Sequence, residues 1–437
     1  MTKARLDGLY LLLLGSVAFV LLGIVMENAA KSPLADFKAI YYPARCLLQQ
    51  ADPYMETEVL RVYRAESGDS STDNAKNRQI ATQNPYLPTV YSFSVPFAML
   101  PWGPAHILWL ALTFASLILA SFLIWTLAAD YSPVVSGAFI GFLFANSEVL
   151  IITGNAAGIV ISLCVVSVWC FVKNRFVLAG VLCLAISLAV KPHDTGLVWL
   201  YFLLAGGVYR KRALQTFLAT VAFSLPGVLW AWRVSPHWMQ EMHTNLLAYS
   251  VHGGTNDPGI ASGGAHGLGM VVSLQAIFSF FRDDPHFYNP ASYLVFGLLF
   301  LVWMIVTLRS RTTPANLWLA FAAISALSML PVYHRQYDTK LLLLTLPACA
   351  MLWVGRGFIG WLALLINIAG FVLNGDLPWV IFFALLNGLH PPTAGLTGQI
   401  LIAVEVFSTP AILLIMAVFY LWVYVRRSSA HVTSHSQ

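Results

Sequence analysis

The sequence predicts an all-α polytopic membrane protein that crosses the bilayer about twelve times. Three observations carry that expectation. Of 437 residues, 58% are hydrophobic and 10% charged, and mean hydropathy is +0.73. A soluble globular domain carries roughly 25% charged residues. The apolar residues fall in runs of roughly bilayer-spanning length. Short loops rich in Lys and Arg recur between those runs, in the alternation that the positive-inside rule requires.

Taken in order, the runs lie near 8–25, 104–128, 133–150, 155–172, 176–190, 194–208, 212–232, 291–308, 314–331, 338–354, 357–373 and 398–425. The first follows Lys3 and Arg5 and superficially reads as a signal peptide. Its stretch from Gly8 to Val25 exceeds the roughly 7–15 residues of a signal core, so a retained span is expected. The stretches 86–101 and 377–390 are short and marked by proline. They are expected to be re-entrant or interfacial.

With that count, Lys3 and Arg5, Lys173 and Arg175, Arg210 to Arg212, Arg309 and Arg311, Arg356, and Arg426 and Arg427 share one side. By the positive-inside rule this side is the cytoplasm. These loops account for the net charge of +5, so membrane lipids are expected as partners and nucleic acid is not. The five cysteines are odd in number and four lie inside apolar runs, which argues against a disulfide framework.

The whole chain, 1–437, reads as one integral membrane domain with two long outer loops, 27–103 and 233–290. The first contains "RAESGDSSTDNAKNRQ", a polar stretch expected to be mobile. The second contains the glycine-rich "HGGTNDPGIASGGAHGLG", expected to be irregular.

Lys and Arg should be scarce in short outer loops, so the exceptions are informative. Lys191 in "LAVKPHDTG" and Arg335 and Lys340 in "LPVYHRQYDTKLLLL" sit at outer ends of spans. A cation there needs a partner, an anionic ligand or a route to the headgroups. Lys340 fits snorkelling as well as binding. Lys191 and Arg335, each beside a histidine and an aspartate, point to a phosphate.

The segment "SPLADFKAIYYPARCLLQQADPY" from Ser32 to Tyr54 follows the first span. Ser32 suits a helix cap and Pro33 its first position. Phe37, Ile40, Tyr41, Ala44, Leu47 and Leu48 then form an apolar stripe at helical spacing. Such a helix would lie at the interface, in lipid or against the bundle. Asp36 falls in its first turn, where the helix dipole favours a carboxylate, and is either a capping acid or a functional one. Pro43 should kink the helix.

"DFKAIYYPARCLLQQADPY" resembles the segment after the first span in glycosyltransferase family 87, membrane enzymes of the GT-C fold that use polyprenyl-phosphate sugars. "NPYLPTVYSFSVPFAMLP", "GNAAGIVISL", "AISLAVKPHDTGLVWLYFLL" and "YHRQYDTKLLLLTLP" are similar to further segments of that family, in the same order. Pro43 and Gln50–Ala51 depart from its pattern. The resemblance implies a GT-C-type bundle with amphipathic and re-entrant helices on its outer face. It also implies a hexosyltransferase in the cell inner (cytoplasmic) membrane, its site facing the periplasm or exterior.

The donor would be a polyprenyl-phosphate-linked sugar, mannose or a related hexose with arabinose open, and the acceptor a lipid or glycan. The resemblance implies Asp36 as general base, removing a proton from the acceptor hydroxyl. One carboxylate suffices in principle, because phosphate already leaves well. Lys191, Arg335 and His334 are candidate donor-phosphate contacts. Tyr41, Tyr42, Asn155 and His193 are candidate substrate contacts. No cofactor is expected and no metal: His237, His243, Asp283, Asp284 and His286 show no tight helical ligand pair, and the resemblance implies metal-independent transfer.

A transporter or lipid flippase is the first rival. It would place ionisable residues in the middle of broken spans, where this chain has chiefly Glu405. A scaffold protein is the second, and it leaves Asp36, Lys191 and Arg335 unexplained.

Overall fold

A computed structural model describes residues 2–29, 34–67, 75–83, 85–254, 256–260, 270–389 and 395–433. They are almost entirely helical, and the described residues contain no strand beyond one isolated bridge between Val271 and Arg335.

Helix occupies every one of the twelve expected runs, but the lengths differ. Among the described residues six helices are long and apolar enough to cross a membrane: Lys3–Ala29, Trp102–Ala128, Gly207–Val234, Pro285–Arg309, Gln336–Val354 and Gly395–Ser428. The pair Gly357–Leu373 and Leu377–Leu389, bent by 59°, raises the number to at most 7. Pro133–Ala145, Ala157–Lys173, Val177–Val190 and Pro314–Leu327 are apolar but shorter.

The centre of the bundle is formed by Pro314–Leu327 and the 3₁₀ segment Gln336–Thr345, buried along nearly all of their length. A helix apolar on every side belongs in such a position. The outer helices leave leucines such as Leu14, Leu21, Leu218, Leu298 and Leu301 bare, as lipid contact requires.

Small residues bring the first span against Pro133–Ala145. A Cβ at Gly8 would stand 2.4 Å from the Pro133 carbonyl oxygen, and one at Gly137 would stand 2.5 Å from that of Gly8. Bilayer helices associate through such close backbone approach, because lipid is as apolar as leucine.

Contacts link the basic loops that the sequence assigned to one side, that of Arg356 excepted. Asp130 pairs with both Arg5 (2.6 Å) and Lys173 (3.6 Å). Arg212 reaches the Phe171 carbonyl at 2.7 Å, Thr312 bonds the Ala205 carbonyl, and Ser310 meets Ser428.

Helix Ala35–Leu48 runs unbroken through Pro43. It is covered all round rather than laid in lipid, because helices Glu56–Ser67, Ala75–Thr82 and Pro88–Ala98 pack over it. Val59, Val62, Tyr63 and Ala81 supply that cover, so both flanks of the polar stretch expected to be mobile are helical. Ser32 and Pro33, the middle of that stretch (68–74), and Thr255 with 261–269 of the glycine-rich loop lie outside the described residues.

Candidate active site

Asp36 owes its position to a tight backbone crossing. Leu34, in the left-handed region at φ 62°, starts its helix and donates its N–H to the Ile152 carbonyl at 2.6 Å. The chain opposite turns at Gly154, with φ +63°, where a Cβ would meet Leu34 Cδ2 at 2.6 Å. Only glycine satisfies both demands. Trp109 fixes the turn by donating Nε1–H to the Gly154 carbonyl at 2.8 Å.

Asn155 follows, and its amide is the hub of the site. Oδ1 accepts the Ala157 N–H at 2.9 Å and Lys191 Nζ at 3.4 Å, so Nδ2 is directed to Asp36 Oδ2, at 2.8 Å. This amide is a hydrogen-bond donor to Asp36, and the Thr153 side chain is a second hydrogen-bonding neighbour of the carboxylate. The carboxylate is half-buried. Burial raises its pKa, and the Asn155 bond with the charges of Arg335 and Lys191 offsets only part of that rise.

Lys191 stands where an apolar run breaks. Pro192 disfavours helical backbone at the residue before it, so helix Val177–Val190 ends and Pro192–Leu204 begins at an extended Lys191. The carbonyl of Ala189 is taken by the Thr89 hydroxyl at 2.6 Å. Lys191 is buried, with Nζ 2.5 Å from Asp338 Oδ1 and 3.1 Å from Asp194 Oδ2. Burial alone would lower its pKa, but the two carboxylates raise it, and it stays charged.

Arg335 opens the 3₁₀ segment, and its N–H donates to Asp338 Oδ2 at 2.8 Å. Its guanidinium bonds the Tyr333 hydroxyl and reaches Asn256 Oδ1 at 3.4 Å. Val272 N–H donates to the His334 carbonyl at 2.9 Å, tying the second outer loop to this turn. Beside Lys191 and Arg335, His334 lies fully buried with Nε2 3.4 Å from Asp194 Oδ1. Burial would lower the His334 pKa, yet Asp194 and Asp338 raise it overall. His193 is exposed and its Nε2 lies 3.3 Å from the same oxygen.

Asp36, Asn155, Lys191, His193, His334 and Arg335 therefore come together from four separate chain segments. Tyr41 and Tyr42 do not join them. Tyr41 donates to the Leu100 carbonyl at 2.8 Å, and Tyr42 stacks on Trp102 with its edge to Tyr63. Both are fully buried and fasten the Asp36 helix to its neighbours. Lys340 is buried as well rather than snorkelling, and its ammonium meets the Asn146 carbonyl.

The sequence reading considered Asp194 as a group that orients Lys191 but missed Asp338 as its second partner. It also missed Tyr86 and Tyr249, whose hydroxyl pKa values are pushed up by burial and then by the charge of Asp36. The paired patterns "KPHD" and "HRQYD", each a cation, a histidine and an aspartate, carried the signal for the two acids.

Long apolar helices with a charged cluster at one end define an integral membrane protein with a polar site. Its class comes from the sequence: the model of glycosyltransferase family 87 matches residues 84–331, more than half of the chain. The chain belongs to that family and is a membrane glycosyltransferase. The transporter reading is thereby disfavoured. The matched region contains Asn155, Lys191, His193 and Asp194, whereas Asp36, His334, Arg335 and Asp338 lie outside it. No curated protein and no solved structure matches the chain.

Proposed function

We propose that the protein moves a sugar, mannose or a related hexose, from a polyprenyl-phosphate donor to a lipid or glycan acceptor, with inversion. Asp36 is the general base. The observation that carries this reading is the hydrogen bond from Asn155 that holds the Asp36 carboxylate within reach of the Arg335 and Lys191 charges. As the acceptor hydroxyl attacks the anomeric carbon, its proton passes to the Asp36 carboxylate. The bond from that carbon to phosphate oxygen breaks, and polyprenyl phosphate leaves with the electron pair. A carboxylate with a raised pKa is the better base near neutral pH.

Arg335 is the donor-phosphate contact, since its planar fork matches phosphate oxygens. Its charge and that of Asp36 already influence one another. Lys191 has its charge answered by Asp338 and Asp194, so we assign it the task of positioning Asn155. His334 and His193 border the same group, and Tyr86 offers a hydroxyl donor to a sugar.

We also propose that the short helices complete a GT-C-type bundle of about twelve crossings in the cytoplasmic membrane. The site would then face outward, because contacts link the basic loops and the Asp36 segment lies outside them. A radiolabel assay in membranes containing this chain tests the reading. Transfer from polyprenyl-phosphate mannose, dependent on Asp36, is expected; movement of intact lipid without sugar transfer would defeat it.

A further inference from the structure

Three potential ligand atoms, from His193, Asp194 and His334, converge beside Lys191. His334 Nδ1 lies 3.0 Å from the Val332 carbonyl. A carbonyl only accepts, so that nitrogen carries a proton, and in the neutral ring Nε2 is the nitrogen left with a lone pair. This Nε2 points at Asp194 Oδ1 from 3.4 Å, and His193 Nε2 approaches the same oxygen to 3.3 Å. Asp194 Oδ1 and His334 Nε2 are buried without a hydrogen-bond partner, on side chains 2% and 0% exposed.

Such an arrangement calls for a cation among the three atoms, because buried unpaired polar groups cost free energy. Lys191 does not supply it. Its ammonium stands on the other carboxylate oxygen, Oδ2, and on Asp338.

We propose that His193, Asp194 and His334 form a site for a divalent transition-metal ion of the zinc class. Ligands about 2.0–2.1 Å from zinc in a tetrahedron stand about 3.3–3.4 Å apart. The two histidine-to-aspartate separations have that value. All three ligand atoms lie within 4.8 Å of one another, and the exposed His193 is the ligand free to adjust. Two imidazoles with one carboxylate suit zinc, cobalt or iron better than magnesium or calcium. The Val332 carbonyl on His334 Nδ1 is the outer partner that metal-bound histidines usually have. Lys191 plays the same part for Asp194. Three protein ligands leave a fourth position open to water or another oxygen ligand, on the side of exposed His193. The site stands apart from the transfer reading, which routes no step through the ion.

The test uses purified full-length protein in detergent, stripped with EDTA and 1,10-phenanthroline and titrated with Zn(II) against a chromophoric chelator. Elemental analysis by mass spectrometry supplies the stoichiometry. One equivalent is expected, and Co(II) in its place should give the intense visible bands of a tetrahedral ion. His193→Ala, on an exposed side chain that leaves the fold intact, should weaken binding about 100-fold or more, beyond the 10–100-fold cost of losing an outer-shell partner. His237→Ala and His243→Ala should bind as wild type. Asp36→Asn should keep the ion whether or not it transfers sugar, which separates failure of the site from failure of the transfer reading. Less than one equivalent in the wild type, or undiminished binding in His193→Ala, would overturn the proposal and leave an Asp194–His334–Lys191 ion-pair network.

Discussion

Replacing Asp36 by asparagine changes one atom of the site and almost none of its packing. Asn155 Nδ2 keeps an acceptor, since an amide oxygen can occupy the place of Oδ2, 2.8 Å away. What disappears is a group able to take a proton. General-base assistance contributes about 10²–10⁴-fold to rate, or about 3–5 kcal/mol of barrier. Transfer should fall by that factor, with little change in the donor KM.

Stability should move the other way. Because burial raises the folded-state pKa of Asp36, its favourable contribution exists below the unfolded pKa, about 3.9. That contribution is lost as pH rises through the raised folded value. At neutral pH the ionised carboxylate therefore costs stability, and Asp36→Asn should melt at or above the wild-type temperature. The gap should close as pH falls towards 4. The wild-type rate should decline as pH drops through the same raised pKa, above the ordinary carboxylate range. Transfer assays and thermal melts across pH measure both limbs. Activity within a few-fold of wild type would remove Asp36 from the chemistry. Lost activity accompanied by a lower melting temperature would make it a structural acid.

Arg335→Lys keeps the charge but loses the fork, and the donor KM should rise about tenfold or more while the fold persists; steady-state kinetics with varied donor checks this. Lys191→Ala leaves Asp194 and Asp338 facing each other in the interior, and should destabilise the protein by about 3–5 kcal/mol, seen as a fall in melting temperature. Gly154→Ala places a Cβ 2.6 Å from Leu34 at φ +63°. It should cost at least about 1–2 kcal/mol and depress transfer by displacing Asn155, which combined melts and transfer assays would detect.

Much of this architecture was legible in the sequence, for a specific reason. Charge is so scarce in the apolar runs that a Lys or Arg at the outer end of a span marks a place where the fold must answer it. Lys191 and Arg335 both do so, and Asp338 joins them by bonding the ammonium of one and the backbone N–H of the other. What stayed hidden has a physical cause as well. An apolar stripe reads alike whether it faces lipid or protein, so the enclosed helix of Asp36 looked interfacial and Tyr41 and Tyr42 looked available. Gly8 and Gly137 carry no charge or period to announce the contact they make. Gly154 revealed itself only once its φ and the nearness of Leu34 were known.

The two cation–histidine–aspartate patterns answer why the site is built at chain breaks. Lys191 precedes a proline that ends one helix and begins the next, and Arg335 precedes a ten-residue 3₁₀ run, longer than the 3–4 residues such helices usually reach. Both interruptions turn backbone groups and short polar side chains toward a shared interior point that continuous helices would leave apolar. The Arg335 N–H, freed at the head of its segment, is what fixes Asp338; Asp338 then fixes Lys191, and Lys191 with the Ala157 N–H orients Asn155. Each link supplies the geometry of the next, so the amide that meets Asp36 is held by groups drawn from both breaks. Asp338→Asn tests the chain of dependence. It removes a negative charge from Lys191 while leaving Asp36 untouched, and should lower kcat without shifting the donor KM if the network acts through Asn155. An unchanged kcat would mean that Asn155 is held by the Ala157 N–H alone.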